Sequence, residues 1–274
     1  MYPLCVGSPA VDIPVALSLA LDLAGIADTI TTDRFRAVDL VVETKPDLTP
    51  VSEADQAVER ALREHLSVHA PDHGVLGEEY GDDLPGADYR WIIDPIDGTK
   101  SYVRGVPVWA TLIALEQRGV PVVGVVSAPA LGTRWWGARG MGAYRDGTAI
   151  RVSGVHALDD AQISFAWDTK TRFDTDGIGD RMLALAHRCW RMRGLGDFWQ
   201  HMLVAEGAFD ISIDPIVSYW DAAALLPILE AAGGRWSTIA GDRPHEPESL
   251  VCTNGLVHDA ALAVLAGSTE SPAA

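Results

Sequence analysis

The chain has 274 residues, 48% of them hydrophobic and 22% charged, and a formal net charge of −17. That is enough apolar material for one large domain or two small ones, and the acidic balance excludes a nucleic-acid backbone as partner, because like charges repel. No apolar run approaches the length of a membrane span, and the opening MYPLCVGSPA lacks the basic-then-apolar order of a signal peptide.

Cys5, Cys189 and Cys252 are scattered and form no C-x-x-C pair, which fits a reducing cytoplasm rather than a disulfide framework or zinc ribbon. In chain order, a first helix is expected from Asp12 and Pro14 to about Arg36. Proline is tolerated in its first turn because the missing N–H would be unpaired there. A loop follows at Lys45–Asp55, in which Ser52, with Asp55 three residues on, has the pattern of a capping box. The helix it opens carries Val58, Leu62 and Leu66 and ends before Pro71. Short β-like runs come next at Gly74–Gly77, Arg90–Ile93, Thr111–Leu115 and Val122–Ala128, and Arg134–Ala138 and Ala143–Arg145 continue them as a meander. After about Ser153 the pattern alternates. Strands are expected at Ile163–Trp167, Phe209–Ile213 and Arg235–Ile239, and helices at Arg181–His187, Phe198–Glu206, Trp220–Ala232 and about His258–Leu265. The small polar tail GSTESPAA is expected to be disordered. Sheets covered by helices, in two halves (1–152 and 153–274) that act as one unit, make this an α+β to α/β layered fold.

The chemistry is concentrated in Trp91–Lys100, WIIDPIDGTK. An apolar strand runs out into Asp94, Pro95, Ile96, Asp97, Gly98 and Thr99, and the fixed φ of Pro95 stiffens the bend between the aspartates. Both carboxylates can then converge, with the Ile96 carbonyl turned toward the same point. Hard oxygens in that arrangement suit Mg²⁺. Gly98 allows close backbone approach to a ligand, and N–H groups at a helix starting at Thr99 can bind phosphate. Asp and Gly are also ordinary turn formers, so the hexapeptide has a plain structural reading too. GEEY (Gly77–Tyr80) places Glu78 and Glu79 directly after a strand, although adjacent glutamates are usually solvated charge. YWDAAAL (Tyr219–Leu225) puts Asp221 in the first turn of an apolar helix, where it could equally complement the helix dipole.

Taken together, Glu78 in GEEY, Asp94-Pro95-Ile96-Asp97-Gly98-Thr99 and Trp220-Asp221 resemble, in order and spacing, the signatures of the inositol monophosphatase superfamily. Lys45–Asp55 resembles the mobile metal-site loop of that superfamily. VRGVPVWATLIAL (Val103–Leu115), RWWGARGMGA (Arg134–Ala143), GDFW (Gly196–Trp199) and LVAEGAFDI (Leu203–Ile211) are similar to its bacterial histidinol-phosphate phosphatase branch. The resemblance implies an αβαβα sandwich, the sugar-phosphatase fold, acting on a small phosphate ester, with two to three Mg²⁺ per site and a homodimeric assembly. It implies that Glu78, Asp94 and the Ile96 carbonyl hold a first Mg²⁺, that Asp94, Asp97 and Asp221 hold a second, and that Glu78 helps place a third. Gly98 and Thr99 would grip the phosphate through their N–H groups, and Thr99 and Asp55 would polarise the attacking water. Gly196, Asp197 and Asp214 would meet the organic part of the substrate, Asp197 being a plausible partner for a cationic amine or imidazole.

The physical logic agrees. A phosphate monoester dianion repels nucleophiles, so cations must neutralise it, and acidified water needs no histidine base; none of the eight histidines falls in these motifs. The chain departs from the branch at Ser101, Leu195, Asp214 and along Ala166–Gly177, all near the expected pocket and none at a metal ligand. A paralogous phosphatase for inositol, sugar or nucleoside monophosphates is therefore the alternative to histidinol phosphate as substrate; an alternative of another class is a catalytically silent metal-binding relative, against which the complete ligand set argues.

Overall fold

Asp12 caps the first helix by accepting the Val15 N–H, and α1 runs Ile13–Arg34. The computed structural model describes residues 11–46, 49–165 and 177–267; expectations at Cys5, at Ala166 and Trp167, along 168–176 and in the tail from 268 lie outside them. Strands β1 (Val42–Thr44) and β2 (Pro50–Ser52) pair as an antiparallel ribbon. The expected capping box then opens α2 (Glu53–His69): the Ser52 N–H donates to Asp55 at 2.8 Å and the Asp55 N–H to the Ser52 hydroxyl at 3.4 Å.

Eight strands form the larger sheet: β3 (Gly74–Gly77), β4 (Gly81–Asp82), β5 (Tyr89–Asp97), β6 (Ala110–Gln117), β7 (Val120–Ala128), β8 (Thr133–Ala138), β9 (Gly142–Arg145) and β10 (Thr148–Ile150). Their order is β10-β9-β8-β7-β6-β5-β3-β4, with only β3 and β5 parallel. The short helix α3 (Thr99–Val103) follows β5. The second sheet holds β11 (Gln162–Phe165), β12 (Arg191–Arg193), β13 (Ile211–Asp214), β14 (Arg235–Ser237) and β15 (Leu250–Thr253) in the order β12-β11-β13-β15-β14. Helices α4 (Ile178–His187), α5 (Asp197–Ala205), α6 (Tyr219–Ala223), α7 (Leu225–Ala231) and α8 (His258–Leu265) complete the chain.

Strand alternation makes the layers. Trp91, Ile93, Ile113 and Leu115 face α1 and α2, while Ile92, Leu112 and Ala114 face α5, α6 and α7. The latter helices also meet Trp236 and Cys252 of the second sheet, whose far side packs on α4 and α8 through Met182, Leu185, Ala261 and Val264. The result is the expected αβαβα sandwich.

Two expectations change. The helix expected over Trp220–Ala232 is two, α6 and α7, meeting at Ala224, because Pro227 has no N–H to return to the Ala223 carbonyl. The helices approach the sheet closely over two glycines: a Cβ at Gly124 would stand 2.1 Å from the Ala224 carbonyl oxygen, and one at Gly137 2.7 Å from the Ile228 Cα. Second, α1, at 22 residues, is long and apolar enough by composition to cross a bilayer, the one such helix among the described residues. Ser18 and Asp22 interrupt the run in sequence, which hid its overall character. Its Ala16, Leu17, Ala20, Leu23, Ala24 and Ala27 are buried, in one core cluster with residues of α2, β6 and β7.

Candidate active site

Strand β5 does not stop at Asp94 but continues as a bulge. Asp94 lies opposite Leu112 and Asp97 opposite Ala110, so three steps on β5 match two on β6. Pro95, which has no N–H for the ladder, accepts the Thr111 hydroxyl on its carbonyl at 2.7 Å, and the Ile96 N–H donates to Asp94 Oδ1 at 3.0 Å. The bulge is what brings both aspartates to one cleft.

Gly98 follows with φ 82°, a left-handed conformation, and caps α3. The Thr99 hydroxyl lies 3.0 Å from the Ile96 carbonyl and 3.4 Å from Asp55 Oδ1. Asp55 is buried, and burial pushes its carboxyl up to about 6 even though Ser52 hydrogen bonds pull it down.

Asp221 arrives from the other half of the chain. A second capping box holds it, the Ser218 N–H donating to Asp221 Oδ2 at 2.7 Å, and the neighbouring Tyr219 hydroxyl donates to Glu116 of β6 at 2.5 Å. Glu116 also meets Arg90, which bonds Asp82 at 2.8 Å, so α6 is tied to the sheet that carries Asp94. Oxygens of Asp94, Asp97 and Asp221 come within 4.8 Å of one another.

Glu78 stands on the same cleft but outside that group of three. Its carboxylate and that of Glu79 each meet Lys45 Nζ at 2.7 Å. Burial alone would lower the Lys45 pKa; the two ion pairs outweigh it and raise it. Burial raises Asp94 and Asp97 well above the usual carboxylate range, reinforced at Asp94 by Glu78 and Asp97 and at Asp97 by Asp197 and Asp221. Asp221 is pushed up to about 7, again first by burial. Asp94 is buried and Asp97 and Asp221 are half-buried; carboxylates held this close repel one another, and an all-oxygen anionic donor set fits Mg²⁺ better than zinc, which favours nitrogen and sulfur.

The cleft, of about 450 Å³, is lined by these groups with Gly98, Thr99, Lys100, Asp197 and Trp220. Gly196, Asp214 and Asp55 are not on its wall. Asp214 is nonetheless close in charge terms: burial pushes it up to about 7, with Asp221 and Asp197 adding to the shift. A larger, shallower depression of about 1050 Å³ over α1 and α2 lies away from the converging carboxylates.

A model of the inositol monophosphatase family matches residues 15–270. The chain belongs to the inositol monophosphatase family. It is 50% identical to the histidinol-phosphatase of Mycobacterium tuberculosis, over 90% of this chain and 96% of that protein. It is 49% identical to the histidinol-phosphatase of Streptomyces coelicolor, over 91% and 96%. Among solved structures, the inositol monophosphatase of Anabaena (Nostoc) is similar with a TM-score of 0.81 at 28% identity, covering 93% of this chain and 96% of that one. Inositol monophosphatase family members are metal-dependent phosphomonoesterases, so the fold and the phosphatase class expected from the three acidic motifs both hold.

The residues alone marked Lys45 only as the start of the loop Lys45–Asp55, with no role of its own, and gave Lys100 none; both are on the cleft wall. A single lysine carries no pattern; only the position of Lys100, directly after Gly98-Thr99, could have marked it. The Phe198 N–H, which donates to Asp97 at 2.6 Å, was invisible because a backbone donor has no residue identity.

Proposed function

We propose that this family member is a Mg²⁺-dependent histidinol-phosphate phosphatase, hydrolysing L-histidinol phosphate to L-histidinol and phosphate in the cytoplasm. The observation that carries the chemistry is the meeting of the Asp94, Asp97 and Asp221 carboxylates beside the Gly98–Thr99 turn. Support for the substrate is the likeness to the Mycobacterium tuberculosis histidinol-phosphatase, at 50% identity.

Two to three Mg²⁺ would be held: one by Glu78, Asp94 and the Ile96 carbonyl, one by Asp94, Asp97 and Asp221, and a third with help from Glu78. Glu78 then has to release Lys45, its present partner at 2.7 Å. Bound Mg²⁺ supplies neutralisation of the phosphate dianion and acidifies water. Gly98 and Thr99 present backbone N–H groups to the phosphate oxygens. The Thr99 hydroxyl, set between the Ile96 carbonyl and Asp55, orients the attacking water, and Asp55, ionised above about 6, takes up proton density through Thr99. Attack by water is direct, with no phosphoenzyme. Gly196, Asp197 and Asp214 shape the side that meets the organic group, where the Asp197 carboxylate holds a cationic amine or imidazolium. The halves 1–152 and 153–274 act as one unit, since α5 and α6 carry Asp197 and Asp221 to the end of β5, and the assembly is a homodimer.

The test compares kcat/KM on L-histidinol phosphate with inositol, sugar and nucleoside monophosphates, with Mg²⁺ and with EDTA. Preference for histidinol phosphate and silence in EDTA are expected. Negligible turnover of histidinol phosphate beside good turnover of another ester would reassign the substrate, and hydrolysis of none would make the chain a silent relative. Sedimentation at several concentrations reports the dimer.

A further inference from the structure

Glu59 is a fully buried carboxylate with no role in the chemistry above. It lies on α2 one turn beyond Asp55, behind the strand end that carries Glu78, and is not on the cleft wall. Its Oε2 accepts the Glu79 N–H at 2.7 Å and its Oε1 the Tyr80 N–H at 3.2 Å. Arg63, one turn further along α2, pairs with Oε1 at 2.8 Å and donates to the Gly81 carbonyl at 2.5 Å and to Asp83 at 3.0 Å. A carboxylate and a guanidinium thus hold the turn after Glu78 through its own backbone.

The residue before Glu78 is shaped to the same group. A Cβ at Gly77 would stand 2.0 Å from Glu59 Oε1 and 2.2 Å from Glu59 Cδ. These distances leave no room for any side chain while Glu59 stays in place. Gly77 is therefore glycine because of Glu59, and Glu59 fixes the backbone on both sides of Glu78.

We infer that Glu59 is a positioning residue that sets the divalent-cation affinity of the site by holding the Gly77–Tyr80 backbone, and so Glu78, at the cleft. It touches neither cation nor substrate. Removing a group that orients a ligand typically weakens metal binding by ~10–100-fold. Glutamine at 59 keeps the volume but offers one acceptor and a donor where two N–H groups need acceptors.

The inference rests on Glu78 being a cation ligand, so the experiment separates the two claims. Mg²⁺ is titrated calorimetrically into the EDTA-stripped full chain as wild type, E59Q, G77A and E78Q, with melting temperatures in EDTA alongside and rates against Mg²⁺ concentration. For E59Q and G77A we expect Mg²⁺ affinity lower by ~10-fold or more, a chain still folded in EDTA but melting below wild type, because both disturb the packing and pairing around Glu59, and rates that recover as Mg²⁺ is raised. If E78Q is weakened but E59Q and G77A bind Mg²⁺ like wild type, the positioning role is overturned and the ligand role stands. If E78Q itself binds like wild type, the ligand role of Glu78 fails first. If neither E59Q nor G77A folds in EDTA, Glu59 is a stability residue and the inference is likewise overturned.

Discussion

The backbone N–H of Phe198 donates to the Asp97 carboxylate at 2.6 Å, across 101 residues of chain. Through this bond the first turn of α5 is anchored on the bulge of β5. Asp197, one residue earlier, adopts a left-handed φ of 49° and lies close to Gly98, whose added Cβ would stand 3.2 Å from Asp197 Oδ2. The residue proposed for the organic group and the turn proposed for the phosphate are therefore parts of one rigid contact.

Asp97→Asn should separate activity from stability. The amide oxygen can still accept the Phe198 N–H, but a negative charge leaves a cluster of mutually repelling carboxylates. Turnover with Mg²⁺ should fall by ~10²-fold or more, while the melting temperature in EDTA should equal or exceed that of wild type. Steady-state rates and calorimetry check both; wild-type turnover would remove Asp97 from the site.

The effect of pH on metal-free stability has a definite sign. Asp94, Asp97 and Asp221 have folded pKa values above the ordinary 3.8, Asp221 reaching about 7. Between those limits the folded chain binds more protons than the unfolded one, so these groups make stability fall as pH rises. Mg²⁺ needs the deprotonated forms. The gain in melting temperature on adding Mg²⁺ should accordingly be small near about pH 5 and larger near about pH 8. A gain independent of pH would contradict this.

Gly98→Ala combines two costs. The backbone is left-handed, and the new methyl would sit 3.0 Å from the Val108 carbonyl oxygen. A loss of ~1–3 kcal/mol in stability is expected from the backbone alone, with a fall in kcat greater than the loss of fold explains. Denaturant melts and rates on the same preparation measure the two.

Asp197→Asn should act by substrate class. If Asp197 meets a cation, kcat/KM for histidinol phosphate should drop by ~10²-fold, while an ester with an uncharged organic group should be far less affected. Equal losses on both esters would point to disturbance of the Asp97 contact instead.

Gly124→Ala probes how Asp221 is placed. Its methyl would meet the Ala224 carbonyl at 2.1 Å and push the start of α7 off the sheet. Overpacking of this kind costs ~1–3 kcal/mol, and because α6 moves with α7, Mg²⁺ affinity should fall too. Unchanged calorimetric Mg²⁺ binding would show that α6 holds its place independently through Tyr219 and Glu116.

Local rules made much of this protein legible from residues alone. The helix start near Asp12, the Ser52 capping box, the apolar stripe of α2, and the placement of three acidic motifs at strand ends and a helix start depend on neighbours within a few positions, and each lies where its residues put it. Folding decided what depends on distant partners. The edge strand β12, exposed along its length, and β15, four residues amid polar loops, exist because neighbouring strands supply their hydrogen bonds. The break at Ala224 could have been inferred from Pro227, but its tight seat over Gly124 could not. Most of all, the identity of Asp94, Asp97, Asp221 and Glu78 announced oxygen donors, whereas their grouping did not follow from identity. The β5 bulge and the Ser218 cap bring three of them together, and Lys45 engages the fourth. Side-chain chemistry is written in residue type; the distances that turn it into a site come from backbone hydrogen bonds and packing between segments far apart in the chain.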